Sequence, residues 1–559
     1  MIVGNLKLKK DQTKKSMKQL KSIIKEMPNE RIAWLALFVV IILTGVIRLG
    51  LMNVPLERDE GEYAYAGQLI LQGIPPYQEV YNMKFPGIYA AYAILMAIFG
   101  ETSQGIHFGL LIINAITIVL VFLLAKKLVN SLCAVISAAT FAILSIGQPV
   151  QGIWANSEHF VILFATGGLL LMLRALELDS LRKLFAAGLL LGLSFAMKQH
   201  GLAFSVLAVF YITYYSLRKQ PLQWRQFLSR MISFASGVSA IFLFICLIMI
   251  WTGVFKNFWF WTFDYASAYI SQIPIKYGRW LFKDSFLPIF HTASLLWIFV
   301  VLGLFTQFTN RISEKSRVFL LLFFIFSALS ICPGFYFRPH YFILLLPCAS
   351  IYAGVTISWI AEYSARLFSK QAYYLALVFL IIVGFFLPVY KQREFLFHMT
   401  NFQICRSTYG QYGLNPFYES IKIADFIKKR TNPDDRIAIL GSEPQIFFYS
   451  KRRSVSPHIY MYPLIENHKF ALKMKKKFID DIELNYPKYV VFVHAENVWM
   501  FSSFFQKEIH QWLDSRIYNG NLKLVGVVEL LENNTIYYWE PNIKWPVISK
   551  YYVAIFMRT

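Results

Sequence analysis

The feature that most limits what this chain can fold into is a series of apolar runs between residues 32 and 390, which then stops. Each run approaches the roughly 20 residues that cross the hydrocarbon of a bilayer. With 57% hydrophobic and only 16% charged residues over 559 positions, the chain holds too much apolar material for a single soluble core. Spans are expected near residues 32–53, 106–125, 129–148, 158–178, 184–197, 201–217, 231–252, 289–308, 317–332, 341–360 and 372–390, about eleven in all. The formal charge of +23 is spread through short loops between these runs rather than gathered on one soluble face. That argues for membrane topology and against a nucleic-acid partner.

A basic tail over residues 1–31 carries Lys7, Lys9, Lys10, Lys14, Lys15, Lys18, Lys21, Lys25 and Arg31. It is expected to stay cytoplasmic and to touch anionic membrane lipid. No small-residue cleavage site follows residues 32–47, so that run reads as an uncleaved anchor. Counting from the inside, the cytoplasmic loops then carry Lys126 with Lys127, Arg182 with Lys183, Arg218 with Arg230, Arg311 with Arg317, and Arg366 with Lys370. The polar segments 54–105, 148–158 and 253–288 fall outside. Within the first, 60–72 and 86–99 have helical periodicity and are expected to lie along the membrane surface.

Beyond residue 390 the pattern becomes soluble alternation: a helix over 416–429, strands at 436–440 and 489–494, and a hairpin across 522–539. The expected fold is a polytopic α-helical membrane protein. Its parts are a tail (1–31), a transmembrane domain (32–390) with a long first external loop (54–105), and an extracytoplasmic α/β domain (391–559). Cys133, Cys246, Cys332, Cys348 and Cys405 show no disulfide framework or metal spacing.

The most informative stretch is Arg58-Asp59-Glu60-Gly61-Glu62, just past the outer end of the first span. Three carboxylates there are costly beside a bilayer unless they meet water, a cation or substrate. The bland alternative is a capping box formed by Asp59 and Glu62. Glu158, in Trp154-Ala155-Asn156-Ser157-Glu158-His159, is either a functional acid or a first-turn carboxylate favoured by the helix dipole, capped by Ser157 or Asn156. Arg338, in Tyr336-Phe337-Arg338-Pro339-His340-Tyr341, is a cation at a span end that could simply snorkel. Snorkelling is the better reading for Lys198, and interfacial anchoring for Lys276, Arg279 and His291.

These elements in this order, with Lys84-Phe85-Pro86-Gly87 closing the first loop, resemble the C-type glycosyltransferase (GT-C) superfamily. The resemblance is to bacterial relatives of protein O-mannosyltransferases and of lipid A aminoarabinose transferases. Phe85 departs from the first proline usual in that element. The resemblance implies a sugar moved from a polyprenyl-phosphate donor to an acceptor hydroxyl on a lipid, glycan or protein, with inversion. Such chemistry needs a base for the acceptor proton, cations for the departing phosphate and a groove for the lipid. By the family match Asp59 is the base, Glu60 and Glu158 orient it or the acceptor, and Lys84, Arg338 and His340 neutralise the phosphate. No Asp-x-Asp and no Gly-rich phosphate loop is present, which disfavours a nucleotide-sugar donor. No metal ligands and no cofactor are assigned, and a divalent metal is left open. The expected location is the plasma or inner membrane. The alternative is a transporter or flippase of a lipid-linked or anionic substrate, which should show mid-span charges and interrupted spans in matching halves.

Overall fold

A computed structural model of the protein describes residues 30–218, 223–309, 312–410, 413–495 and 503–559. The basic tail lies outside the described residues except for Glu30 and Arg31, as do Arg311 and the side chains of Arg366 and Lys370. The membrane part is built from helices α1 (Glu30–Gly50), α2 (Arg58–Leu71), α3 (Pro86–Phe99), α4 (Ser103–Leu128), α5 (Ser131–Leu144), α6 (Ser157–Glu177), α7 (Leu181–Met197), α8 (Leu202–Leu217), α9 (Trp224–Trp251), α10 (Ile275–Thr292), α11 (Ser294–Thr306), α12 (Glu314–Ser330), α13 (Leu346–Leu367) and α14 (Lys370–Ile381).

Each expected span falls on helical chain. By length and composition alone, seven helices among the described residues could cross a membrane, and the pair α10 and α11 would be an eighth. That pair is bent by 104°, with Pro288 inside α10 and the irregular Ala293 at the break. A ring without an N–H interrupts the helical ladder and makes such a bend cheap. α3 and α5 are apolar but shorter. Ile32, Leu35 and Phe38 of α1, and Leu243, Phe244 and Leu247 of α9, stay exposed, the outward apolar surface that lipid rather than water accommodates.

Charged helix ends gather at one end of this bundle. Lys126 of α4 pairs with Glu30 of α1, Lys127 with Glu177 of α6, Arg230 of α9 with Asp179 at 2.6 Å, and Arg218 with Glu314 of α12 at 2.7 Å. The other ends of α1, α4 and α6 meet near Glu60 and Glu158: Arg48 donates to the carbonyls of Ser145 and Gly152, and His107 reaches Glu60.

The C-terminal part holds α15 (Glu419–Lys428), β1 (Arg436–Leu440), α16 (Gln445–Ser450), β2 (Arg453–Ser454), α17 (Ala471–Asn485), β3 (Tyr489–His494), α18 (Ser503–Tyr518), β4 (Leu522–Leu530), β5 (Thr535–Trp539) and β6 (Tyr552–Arg558). They form a six-stranded mixed sheet of order β2-β1-β3-β6-β4-β5. β1 pairs parallel with β2 and β3, and the remaining pairs are antiparallel. The buried run 489–493 of β3 suits its central place between β1 and β6.

α2 departs from the expected surface helix. Residues 60–69 are all buried, with α3 on one side and α16 of the sheet domain on another. Small residues allow this. A Cβ on Gly61 would sit 2.6 Å from the Gln445 backbone nitrogen, and one on Gly67 would sit 2.9 Å from that of Ala93. Tyr65 stacks on Phe447 at 5.1 Å and its hydroxyl accepts from Ser454 N at 2.9 Å. Backbone cannot yield as a flexible side chain can, so Gly61→Ala is expected to destabilise the protein by about 1–3 kcal/mol. A lowered unfolding temperature in detergent is the check, and an unchanged one would refute the tight seat.

Candidate active site

The first turn of α2 is closed by a capping box, but not by the pair expected. Glu57 accepts from Glu60 N at 3.0 Å, and the Glu60 carboxylate accepts from Glu57 N at 3.4 Å. Since Glu57 takes the N-cap, Asp59 has no capping duty and points elsewhere.

Its carboxylate meets groups from three other parts of the chain. Lys84 Nζ lies 3.2 Å from Asp59 Oδ2 and donates to the Tyr63 hydroxyl at 3.0 Å. His340 Nε2 stands 3.9 Å from the same Oδ2, while its Nδ1 is fixed by Gln151 Oε1 at 2.9 Å. The Tyr460 hydroxyl is 3.3 Å from Asp59 Oδ1. Beside them Lys198 bonds Glu158, whose other oxygen accepts from Ser157 Oγ at 3.3 Å. The Lys198 ammonium also sits 4.1 Å from the centre of the Tyr341 ring, a cation–π contact. Asp59 keeps about a fifth of its side chain exposed (22%), whereas Glu158 is fully buried.

The structure thus brings Asp59, Lys84, Glu158 and His340 together. Glu60 sits behind them, fully enclosed, with His107 Nε2 at 3.1 Å and the Ala155 amide on the same carboxylate. Its oxygens are committed to the start of α2, to α4 and to the loop before α6. Arg338 is exposed, lies 5.7 Å over the Tyr336 ring and makes no ion pair with any described residue. Glu158 does lie in the first turn of α6, but Asn156 makes no side-chain cap there and the carboxylate reaches across to Lys198.

Burial works to raise the Asp59 pKa, but the positive neighbours, Lys84 foremost, outweigh it and hold the carboxyl well below its usual range. Burial likewise works to lower the Lys84 pKa, and Asp59 with Tyr63 and Glu62 reverses this and raises it. Opposite charge close by, in a site poor in water, explains both.

Glu62, next along α2, accepts from Asn82 Nδ2 at 2.8 Å and from the Tyr89 hydroxyl at 2.5 Å. Burial pushes its carboxyl up to about 7. The folded state therefore binds a proton that the unfolded state releases near pH 4.5, so stability falls as pH rises from there to about 7. Glu62→Gln is expected to flatten this slope, worth about 3 kcal/mol, in unfolding temperatures measured across that range. A slope that survives the substitution would assign it to another group.

Lys198 is the site residue that sequence reading set aside. Its signal was the break between two short apolar runs: Lys198 has extended backbone (φ −161°, ψ 143°) where α7 stops, and a lysine at an interrupted span serves a cavity more often than the lipid surface. Tyr63, Tyr341, Gln151 and Tyr460 had no comparable signal. Among the described residues no group of three or more His, Cys, Asp and Glu side chains is arranged to hold a metal.

Residues 84–251 match the family described as dolichyl-phosphate-mannose-protein mannosyltransferase. No curated protein matches the chain by sequence. Among solved structures, ArnT from Cupriavidus metallidurans bound to undecaprenyl phosphate is similar at a TM-score of 0.57 and 14% identity, over 94% of this chain and 98% of that one. The Archaeoglobus fulgidus oligosaccharyltransferase in the apo form is similar at 0.53 and 12%, over 91% and 75%. The oligosaccharyltransferase AglB of A. fulgidus, in complex with an inhibitory peptide and a dolichol-phosphate, is similar at 0.51 and 13%, over 91% and 74%. At such identities the likeness is one of fold, and it runs through both the helical bundle and the sheet domain: the chain is a membrane protein with the fold of the C-type glycosyltransferase superfamily, similar to ArnT and to the protein mannosyltransferases.

Proposed function

We propose that this protein transfers a sugar from a polyprenyl-phosphate donor to an acceptor hydroxyl, with inversion at the anomeric carbon. The observation that carries the reading is the convergence of Asp59, Lys84, Glu158, Lys198 and His340 from distant parts of the chain on one partly open cluster. The family match, which begins at Lys84 and includes Glu158 and Lys198, supports it. So do the lipid phosphates held by two proteins of similar fold.

In this reading the acceptor oxygen attacks the anomeric carbon, its proton passes to Asp59, and the bond from that carbon to the phosphate oxygen breaks. Polyprenyl phosphate leaves with the bonding electrons. Asp59 is ionised near neutral pH and so has a lone pair free for the proton, and Lys84 and Arg338 are the cations for the leaving phosphate, with His340 beside them. Glu158 holds Lys198 beside them, and Glu60 braces the helix that presents Asp59. Residues 32–390 would be the catalytic membrane domain and 391–559 an extracytoplasmic α/β domain. The paired basic helix ends would face the cytoplasm, opposite the site, in line with the positive-inside rule.

The test is the purified protein in nanodiscs supplied with polyprenyl-phosphate sugars and candidate acceptors. Release of polyprenyl phosphate, with transfer or hydrolysis of the sugar, is the expected result. Donor that changes leaflet uncleaved would instead favour a flippase and overturn the proposal.

A further inference from the structure

The residue that precedes Asp59 is held entirely by the sheet domain. Arg58 Nε donates to the Ser442 carbonyl at 2.6 Å, Nη1 to the Tyr462 hydroxyl at 2.6 Å, and Nη2 to Asn415 Oδ1 at 2.9 Å and Glu443 Oε1 at 2.7 Å. Its guanidinium lies between the rings of Phe417 and Tyr462, at 5.6 and 5.5 Å. Every one of these partners falls between residues 415 and 462, more than 350 positions along the chain. The Tyr460 hydroxyl lies 3.0 Å from the Arg58 carbonyl and 3.3 Å from Asp59 Oδ1, and it also meets the Glu62 carboxyl. Lys84 holds Oδ2. One carboxylate oxygen is therefore oriented by the membrane half and the other by the C-terminal half.

We propose that the C-terminal domain is a working part of the reaction centre. Tyr460 is a positioning residue that fixes the rotation of the Asp59 carboxylate, and Arg58 is the strap that fixes the backbone beneath it. This rests on the reading of Asp59 as the base. A base must present its lone pair to the acceptor along a narrow line, and a displacement of about 1 Å can cost about a hundredfold in rate. Arginine suits the strap because its planar fork serves four acceptors at once, which lysine cannot do. A merely structural tie between the halves would need neither a hydroxyl on Asp59 nor a strap beside it, since Gly61, Tyr65 and Glu79 already join them.

The test compares Tyr460→Phe, Arg58→Lys and Asp59→Asn in the full-length protein, by kcat and KM for a polyprenyl-phosphate sugar and by unfolding temperature. Tyr460→Phe removes one oxygen and is expected to lower kcat about tenfold, the worth of a hydrogen bond to a charged group, with KM and unfolding temperature unchanged. Arg58→Lys keeps a charge for the buried Glu443 and is expected to lower kcat about tenfold or more. In the Asp59→Asn background, Tyr460→Phe should add nothing. If Asp59→Asn is inactive while Tyr460→Phe keeps full kcat, or changes only KM, this inference falls and the base reading stands. Unaltered turnover in Asp59→Asn would overturn the base reading, and this inference with it. Should Arg58→Lys fail to fold, Tyr460→Phe decides alone.

Discussion

Asp59→Asn is expected to lower the rate of sugar transfer by about 10²–10⁴-fold, the usual contribution of a positioned general base. Asparagine keeps the shape of the side chain, but its single carbonyl oxygen can accept from only one of Lys84 and Tyr460, which meet separate carboxylate oxygens at 3.2 and 3.3 Å. It cannot take the acceptor's proton. The loss should therefore appear in kcat. KM for the donor should hold or fall, because Lys84, relieved of its carboxylate partner, is freer to meet a phosphate. The acid limb of the wild-type profile should not come from Asp59, whose carboxyl is held well below its ordinary range, after burial, chiefly by Lys84. Single-turnover transfer with a labelled donor is the measurement, and a kcat within a few-fold of wild type would sink the assignment.

The second large effect is expected at Glu158 and Lys198. Both side chains are almost wholly enclosed, at 0% and 7% exposure. Removing one charge strands the other away from water, and breaking such a buried pair costs about 3–5 kcal/mol. Glu158→Gln should therefore lower the unfolding temperature markedly as well as the activity. Replacing both, as Glu158→Gln with Lys198→Met, removes the stranded charge and should restore much of the stability, since buried pairs are often replaceable by apolar groups at little cost. The double variant should remain inactive. Stability recovered without activity would mark the pair as retained for the reaction. Activity recovered along with stability would make it a structural prop and remove Glu158 from the site.

The helical bundle and the strands were legible because their signals are local. Apolar period and run length located the membrane helices, and alternation located β1, β3 and the β4–β5 hairpin. The bend between α10 and α11 was missed because hydropathy averages across a break that a proline and one irregular residue create. The capping box was misread by two positions because Asp59 and Glu62 have the same spacing as Glu57 and Glu60, and only the backbone tells which residue stands before the helix. α2 was taken for a surface helix because its tyrosines and glutamates look amphipathic, whereas Gly61 and Gly67 admit backbone on two sides. Tyr460 and Gln151 carried no signal, since their only qualification is where the chain brings them. Lys198 carried one, the interrupted span, that was outweighed by the commoner habit of lysines at helix ends.

The seat of α2 has a consequence for anyone who would cut this chain. Residue 390 separates apolar from soluble sequence, yet the surface on which Gln445 and Phe447 rest belongs to a helix some 380 positions upstream of them. A truncation after the last membrane helix would strip one wall from that helix and leave Arg58 without the four acceptors it serves. Swapping C-terminal portions between related proteins should likewise fail unless residues 56–67 travel with the graft. The heritable unit here is a discontinuous one, a short upstream segment and a distant downstream lobe that must vary in step.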